Sequence, residues 1–158
     1  MPASIEELRA KQAELIREAA RAVTERDRII ILAAEQLIKQ WYQKDWHHLA
    51  ACGWGEQQAE HYSALQLNCK RARESSVCAE AGIIMAASMK GDEVLTIVTF
   101  HGNHNGGKPY VVPPCAMCLA RFRRFAQNCE VIVGLEGSLV KLPQEIFSAY
   151  PYPVADTG

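Results

Sequence analysis

The sequence predicts a three-layer α/β/α sandwich built on a mixed sheet. The predicted elements follow the order helix, helix, strand, strand, helix, strand, helix, strand, helix. The strand–helix–strand units near the end require parallel neighbours, whereas the two strands in the middle form an antiparallel hairpin. With 158 residues, of which 49% are hydrophobic, the chain is long enough to bury one substantial core without disulfides.

Two helices open the chain, because apolar residues recur at helical spacing and neither segment is interrupted by proline or glycine. Ser4 is a suitable N-cap for the first helix, with Glu6 and Glu7 in its first turn and a predicted end near Thr24. Its apolar stripe is expected to serve as a packing face, within the chain or against a neighbouring subunit. The second helix is predicted from Glu25 to Gln43.

Strands and helices alternate in the rest of the chain. Residues 46–52 and 62–69 are predicted as the hairpin strands, with Gly53-Trp54-Gly55 in the turn between them. A helix is predicted from about Cys78 to Met89. Val94–Phe100 is nearly continuous in β-branched and apolar residues, which is typical of a central strand. The remaining predicted elements are a polar loop, a helix, a buried strand and a short last helix: His101–Lys108, Cys115–Gln127, Glu130–Leu135 and Pro143–Tyr150.

Composition and charge limit the classes of partner. The formal net charge is −1, and the basic residues at 70–73 and 121–124 form no extended stripe with interleaved aromatics, which argues against a nucleic-acid partner. The N-terminus lacks a secretory-signal pattern, and no apolar run is long enough to span a membrane. Six cysteines in such a chain favour thiols and metal ligands over disulfides. We therefore expect a cytoplasmic protein with a small-molecule partner.

Two cysteine clusters carry the strongest chemical signal. Cys78 is followed two residues later by Glu80, and Cys115 and Cys118 follow a pair of prolines. Three thiolates can fill three corners of a tetrahedral Zn²⁺ site and leave the fourth for water, as in catalytic zinc sites. A nearby carboxylate that does not bind the metal can then transfer protons. This combination is the signature of zinc-dependent nucleobase deaminases.

Helix placement favours this interpretation over a redox pair or a structural zinc site. Cys78 and Cys115 both fall at predicted helix starts, where backbone amides lower thiol pKa values. A closed site would need a fourth cysteine. Cys129 lies at the far end of its helix, about 16–21 Å away, but the spacing of Cys52 and Cys69 does not exclude either of them.

These motifs resemble those of the cytidine deaminase family, in its small homotetrameric form and its blasticidin-S-deaminase-like relatives. The similarity is strongest at Cys78-Ala79-Glu80 and at Pro114-Cys115-Ala116-Met117-Cys118, and weaker similarity extends it to about residues 28–150. The resemblance implies a cytidine deaminase-like α/β/α fold with a mixed five-stranded sheet. It divides the chain into an N-terminal helical extension (1–27) and a deaminase domain (28–158). It also implies a homotetramer, with a dimer as the alternative.

The activity that the resemblance implies is hydrolytic deamination of an aminopyrimidine. Zn²⁺ held by Cys78, Cys115 and Cys118 would activate water, and the hydroxide would add to the carbon that bears the amine. Glu80 would carry protons from the water to the ring nitrogen and then to the departing ammonia. The backbone at Ala79 would contact the pyrimidine.

The substrate contacts that the resemblance implies leave the substrate open. Nucleoside-specific members carry an asparagine and a glutamate on the second strand, where this sequence has Gln66 and Asn68. An amide accepts hydrogen bonds from sugar hydroxyls more weakly than a carboxylate does. The candidates are therefore a cytosine-type nucleoside, a nucleoside analogue, or a free base or other amino-heterocycle such as guanine. Trp46 would stack on the base or join the core, and Phe147 would close the site or pack.

The charge of the thiol site raises a separate question. Three thiolates on Zn²⁺ leave a net charge near −1, and Ala81 stands where many small homotetrameric members carry an arginine. Arg121, one helical turn after Cys118, is one candidate for compensation, and the helix dipoles are the other. His101 and His104 are candidate metal ligands, but surface histidines of a glycine-rich loop are commoner and three zinc ligands are already assigned, so we expect them to be surface residues. A non-catalytic zinc-stabilised module remains an alternative, although structural zinc has no use for Glu80.

Overall fold

The computed structural model describes residues 2–72 and 75–149. The helices are α1 Ile5–Ala19, α2 Glu25–Trp41, α3 Ala79–Met89, α4 Ala116–Phe125 and α5 Glu145–Ala149. The strands are β1 Arg21–Ala22, β2 Leu49–Gly55, β3 Tyr62–Leu65, β4 Val94–His101, β5 Tyr110–Val111, β6 Glu130–Leu135 and β7 Ser138–Pro143.

All seven strands form one mixed sheet in the order β1-β7-β6-β4-β2-β3, with β5 paired to β4. The pairing of β4 with β6 is parallel, and the other described pairings are antiparallel. The predicted mixed sheet is thus confirmed, with seven strands in place of five. The two additional strands, β1 and β5, are short. β1 pairs with β7 at one edge of the sheet, and β5 pairs with the end of β4.

Helices cover both faces of the sheet, as the predicted three-layer architecture requires. The side chains of β2 alternate between two cores: Ala51 joins the cluster under α3 and α4, whereas Ala50 and Cys52 join the cluster under α2. The central strand β4 contributes to both, with Ile97 on the first side and Val98 on the second. Its continuous apolar sequence reflects this burial on both faces.

The first helix is shorter than predicted. Ser4 and Glu7 form the expected capping box at its start, but α1 ends at Ala19, and the backbone at Ala20 is extended. The next two residues pair with β7 instead of continuing the helix to Thr24. The prediction was wrong at this end because a free sheet edge offers backbone partners that periodicity does not reveal. Thr24 instead caps α2 through a second capping box.

The turn predicted at residues 53–55 was also wrong, because Gly53 and Gly55 lie within β2. A Cβ on Gly55 would lie 2.1 Å from a carboxylate oxygen of Asp92, and one on Gly53 would lie 2.9 Å from the Thr96 carbonyl oxygen. These glycines are therefore needed for close packing inside the sheet. The hairpin turn instead falls after Gly55.

The C-terminal part contains a hairpin of β6 and β7 that was not predicted from the sequence. Strand β6 has the predicted bounds, and a tight turn with positive φ at Glu136 (49°) and Gly137 (82°) leads into β7. Two successive positive φ values match the twist of a two-residue hairpin. The last helix is confirmed as α5, whereas its predicted end at Tyr150 lies outside the described residues. None of the described helices combines the length and apolar character that a membrane crossing needs.

Candidate active site

The three predicted zinc ligands converge at the start of two neighbouring helices. Cys78 is the N-cap of α3 and Cys115 is the N-cap of α4, and neither thiol is used to cap its own helix. Cys118 lies in the first turn of α4 and is fully buried. The Sγ atoms of all three lie within 4.8 Å of one another. Sequence positions 37 residues apart are thus brought to one point.

The donor set fits a zinc ion. Tetrahedral zinc with Zn–S bonds of about 2.3 Å places its sulfur ligands about 3.8 Å apart, and the Sγ atoms of Cys78 and Cys115 are 3.7 Å apart. Thiolates are also soft ligands that suit zinc better than Mg²⁺ or Ca²⁺. Among the described residues, no fourth cysteine, histidine or carboxylate lies within the same 4.8 Å group. The closed four-cysteine alternative therefore gains no support from Cys52 or Cys69.

The thiols differ in their electrostatic surroundings. A hydrogen bond from the Cys118 thiol lowers the pKa of Cys115 to about 5, and the backbone amides of Cys118 and Met117 act in the same direction. The same thiol–thiol bond raises the pKa of Cys118, with burial as a second cause. Burial also raises the pKa of Cys78. Of the three thiols, Cys115 therefore has the surroundings that most favour the thiolate, and its helix N-terminus acts in the same direction.

Glu80 lies in the first turn of α3 with only 4% of its surface exposed. Burial raises the pKa of this carboxyl group, although its own backbone amide, the Thr99 hydroxyl and the Cys118 thiol act against the shift. Thr99 lies on the central strand β4, so the sheet holds the carboxylate against the thiols. Thr99 was not among the site residues predicted from the sequence. A polar side chain within an otherwise apolar strand was the feature that could have identified it.

Arg121 brings a positive charge to the thiols. Its Nη1 donates a hydrogen bond to Cys118 Sγ at 3.8 Å, one helical turn away on α4. Ala81, which provides no charge on α3, is buried with 7% exposure. The structure therefore brings Arg121 and the thiols together. Arg121 was one of the two sources of charge compensation considered from the sequence, and the helix dipoles were the other.

The predicted substrate contacts divide into two groups. Trp46 is 60% exposed and lines, together with Asn68, a cavity of about 630 Å³. An adjoining cavity of about 420 Å³ is lined by Asn68 and by Ser76, two residues before Cys78. The amide oxygen of Gln66 is buried without a hydrogen-bond partner among the described residues. This first group thus lies along the end of β3.

Ala79 and Phe147 belong to the second group, which lies in the core. Ala79, the first residue of α3, is fully buried, and Phe147 is 7% exposed. Both belong to the same hydrophobic cluster as Cys118. Phe147 therefore contributes to the core on this side of the sheet, and a contact of either residue with substrate stays a prediction.

The end of β3 is physically connected to the thiol site. Leu67 and Val77 exchange two backbone hydrogen bonds of 2.9 Å, and the Cys69 amide donates to Ser76 Oγ at 2.8 Å. Because β3 ends at Leu65, Gln66 and Asn68 lie just beyond the strand and not within it as the predicted strand 62–69 required. The hydrogen bonds tie this segment to the one that enters α3. A ligand in the two cavities would therefore lie beside the residues that precede Cys78.

Solved structures of bacterial cytidine deaminases share this architecture. The cytidine deaminase from Bacillus anthracis superposes with a TM-score of 0.64 at 21% sequence identity, over 79% of this chain and 86% of that one. The enzyme from Mycobacterium leprae gives 0.59 at 14% identity, over 82% and 100%. The enzyme from Burkholderia pseudomallei gives 0.58 at 14% identity, over 82% and 98%.

These similarities define the class of fold. The chain has the cytidine deaminase-like fold, with an open mixed sheet between helices. No protein-family model matches the chain, and no curated protein sequence does. At this level of sequence identity the shared feature is the fold, and the chemistry has to be argued from the site itself.

Proposed function

We propose that this protein is a zinc-dependent hydrolytic deaminase that acts on a cytosine-type nucleoside or nucleoside analogue and releases ammonia. The observation that carries the proposal is the meeting of three thiols within 4.8 Å beside a nearly fully buried carboxylate. A structural zinc site has no use for that carboxylate. Zn²⁺ bound by Cys78, Cys115 and Cys118 would lower the pKa of a water molecule and so supply the nucleophile.

Glu80 carries the proton transfers. Its carboxylate accepts a proton as water adds to the carbon that bears the amine, and passes it to the ring nitrogen. A second proton from the same water follows the same route to the leaving amine, so one water is consumed and one ammonia is released. The raised pKa of Glu80, caused by burial, suits a group that must accept and return protons near neutral pH.

Arg121 offsets part of the thiolate charge. Three thiolates on Zn²⁺ leave a net charge near −1, which disfavours ionisation of a bound water. The hydrogen bond from Arg121 to Cys118 draws charge from one of these ligands. Arg121 on α4 thus supplies the positive charge that the uncharged Ala81 on α3 does not.

The two cavities at the end of β3 support a substrate of nucleoside size. Volumes of about 630 and 420 Å³ are within the range of small-molecule sites. Trp46 offers an exposed aromatic face to the larger cavity, and the amide of Asn68, which lines both cavities, can exchange hydrogen bonds with substrate hydroxyls or amines. Because Gln66 and Asn68 are both neutral, a free base or another amino-heterocycle is the alternative substrate.

We further propose that the enzyme is cytoplasmic and assembles as a homotetramer or dimer. Free thiols at the site require a reducing compartment. Methionines on the outer side of α3 and α4 are strongly exposed, with Met85 at 64%, Met89 at 86% and Met117 at 61%. A subunit interface on this side would cover them.

A substrate panel tests the proposal. Zinc-loaded protein is incubated with cytidine, deoxycytidine, cytosine, blasticidin S, guanine and guanosine, and ammonia release is measured. We expect turnover of at least one cytosine-type compound and a loss of about 10²–10⁴-fold in Glu80→Gln. Glu60→Gln, at an exposed carboxylate, is the matched control. Turnover of none of the compounds, or an equally active Glu80→Gln enzyme, would contradict the proposal.

A further inference from the structure

Three histidines that are distant in the sequence meet outside the thiol site. The ring of His104 lies 4.5 Å from the ring of His48 and 4.6 Å from that of His101, measured between centroids. The Tyr42 hydroxyl bonds to Nδ1 of His104. We refer to His48, His101, His104 and Tyr42 as the histidine cluster. The sequence predicted His101 and His104 as surface residues, and their meeting with His48 is a product of the fold.

Sheet pairing and a tight loop build this cluster. Leu49 pairs with His101 across β2 and β4, and the Gly102 amide donates to the His48 carbonyl oxygen at 2.8 Å. A Cβ on Gly102 would lie 2.1 Å from the Tyr42 ring, so only glycine lets this ring pack there. Asn103 has a positive φ of 61°, which turns the chain back and places His104 over His48.

Hydrogen bonds fix which ring nitrogens are free to bind a ligand. Nε2 of His48 faces the Lys44 carbonyl oxygen, which can only accept, so Nε2 carries the proton and the Nδ1 lone pair is free. A proton on Nδ1 of His104, donated to the Tyr42 oxygen, leaves its Nε2 lone pair free in the same way. Metal-binding histidines are typically oriented by such a bond from the second nitrogen to a carbonyl or another acceptor.

His101 provides the third ring. Its Nδ1 accepts a hydrogen bond of 2.9 Å from the Asn103 amide, and the ring stacks on Tyr110 at 5.0 Å. Binding through Nε2 therefore requires a shift of its proton and the loss of that hydrogen bond. Burial lowers the pKa values of His101 and His104, with the neighbouring histidines as a second cause, and a lowered pKa favours the neutral ring that can bind a metal ion.

We propose that the histidine cluster is a second metal site, for a borderline divalent ion such as Zn²⁺, Ni²⁺ or Co²⁺. Neutral imidazole is the preferred ligand of this class of ion. His48 and His104 are the principal ligands, and His101 completes the site after its proton shifts. Among the described residues, only the thiols form a group of three ligands already within 4.8 Å. The histidine site therefore binds more weakly than the thiol site, and its chemistry does not depend on the proposed deaminase activity.

Metal stoichiometry tests the proposal. The full chain is dialysed to equilibrium against buffered Zn²⁺ at neutral pH, and bound zinc is measured by elemental analysis. The parent protein is expected to bind two ions, and His104→Gln and Cys115→Ser one each. His61→Gln removes an exposed histidine outside the cluster and is expected to keep both ions. His104 is exposed as well, so its substitution leaves the core intact.

Co²⁺ distinguishes the two sites by spectroscopy. Thiolate-to-cobalt charge-transfer absorption is expected in His104→Gln and absent in Cys115→Ser, and the latter should retain a weaker spectrum typical of nitrogen ligands. His48→Gln should lose the second ion in the same way as His104→Gln, since each substitution removes one principal ligand. A single ion in the parent protein that disappears in Cys115→Ser would overturn the proposal and leave the thiol site intact. Two ions in His104→Gln would also overturn it.

Discussion

Two buried carboxylates on opposite sides of the sheet have opposite electrostatic surroundings. Asp27 lies in the first turn of α2 and is fully buried, and Glu80 lies in the first turn of α3 with 4% exposure. Both occupy helix N-termini, where the helix dipole favours a negative charge. Their pKa values nevertheless shift in opposite directions, so their partners decide the outcome.

Asp27 is surrounded by donors. Its carboxylate accepts a hydrogen bond of 2.8 Å from Trp54 Nε1 and pairs at 3.0 Å with Lys141, which is 3% exposed. Burial alone would raise the pKa of Asp27, but the bonds from Thr24, Trp54 and Lys141 outweigh it, and the pKa is lowered. This carboxylate stays ionised and links α2 to β2 and β7.

Among the described residues, 2–72 and 75–149, no cationic side chain forms an ion pair with Glu80. Its neighbours are the thiols and the Thr99 hydroxyl. Arg121 bonds to Cys118. Burial therefore dominates and raises the pKa of Glu80. A buried carboxylate with cationic partners thus stabilises the fold, whereas one without them is suited to proton transfer.

The largest expected effect is on stability, at Asp27. Asp27→Ala should lower the free energy of unfolding by about 3–5 kcal/mol, because Lys141 then stays buried without its closest partner. Urea denaturation measures the change. Asp27→Ala with Lys141→Met should recover part of the loss. Asp45→Ala, at an exposed ion pair with Lys70, is the control and should cost less than about 1 kcal/mol. A loss at Asp27 no larger than at Asp45 would show that the buried pair is not a structural anchor.

A smaller effect is expected at the cation of the thiol site. Arg121→Gln should weaken zinc binding by about tenfold, since a donor to the metal-binding thiols is lost. Competition with a chromophoric chelator measures the affinity. Arg124→Gln, an exposed position on the same helix, should leave the affinity unchanged. Equal affinities of the two variants would leave the helix dipoles as the source of charge compensation.

Glu80 should show the opposite stability effect from Asp27. In the metal-free protein, Glu80→Gln is expected to raise the free energy of unfolding by about 0.5–2 kcal/mol, as is common when an unfavourable functional group is removed. The reason is that ionised Glu80 is buried with little compensation. Thermal unfolding in the presence of a chelator measures the change, with Glu60→Gln as the control. A destabilised Glu80→Gln protein would remove the contrast between the two carboxylates.

The pH dependence of stability gives the finest test of the contrast. The pKa of Asp27 is lower in the folded protein than its value of about 3.9 in an unfolded chain. Its contribution is therefore fully present above pH 4 or so and is lost as the pH falls through the folded-state pKa. Asp27→Asn, compared with the parent from about pH 6 to 3, should show a flatter acid limb in urea midpoints. An unchanged slope would mean that other carboxylates, such as Asp92, account for the acid loss.

Much of the fold could be predicted from local sequence pattern. The bounds of β6 and the starts of α1 and α2 are as expected, because capping residues and short apolar runs act within a few positions. β1 and the placement of Gly53 and Gly55 within β2 were not predicted. They depend on a free edge at β7 and on the side chain of Asp92, both far away in the sequence.

The sequence by itself determined the chemical content of the candidate site. The thiols and Glu80 were identifiable because their spacing is local to two helix starts. Only the tertiary structure decided which groups surround them. Thr99 reaches Glu80 from the central strand, and His48 meets His104 through the pairing of β2 with β4. The same holds for the two carboxylates, since a pKa shift depends on partners that the chain brings together only when it folds.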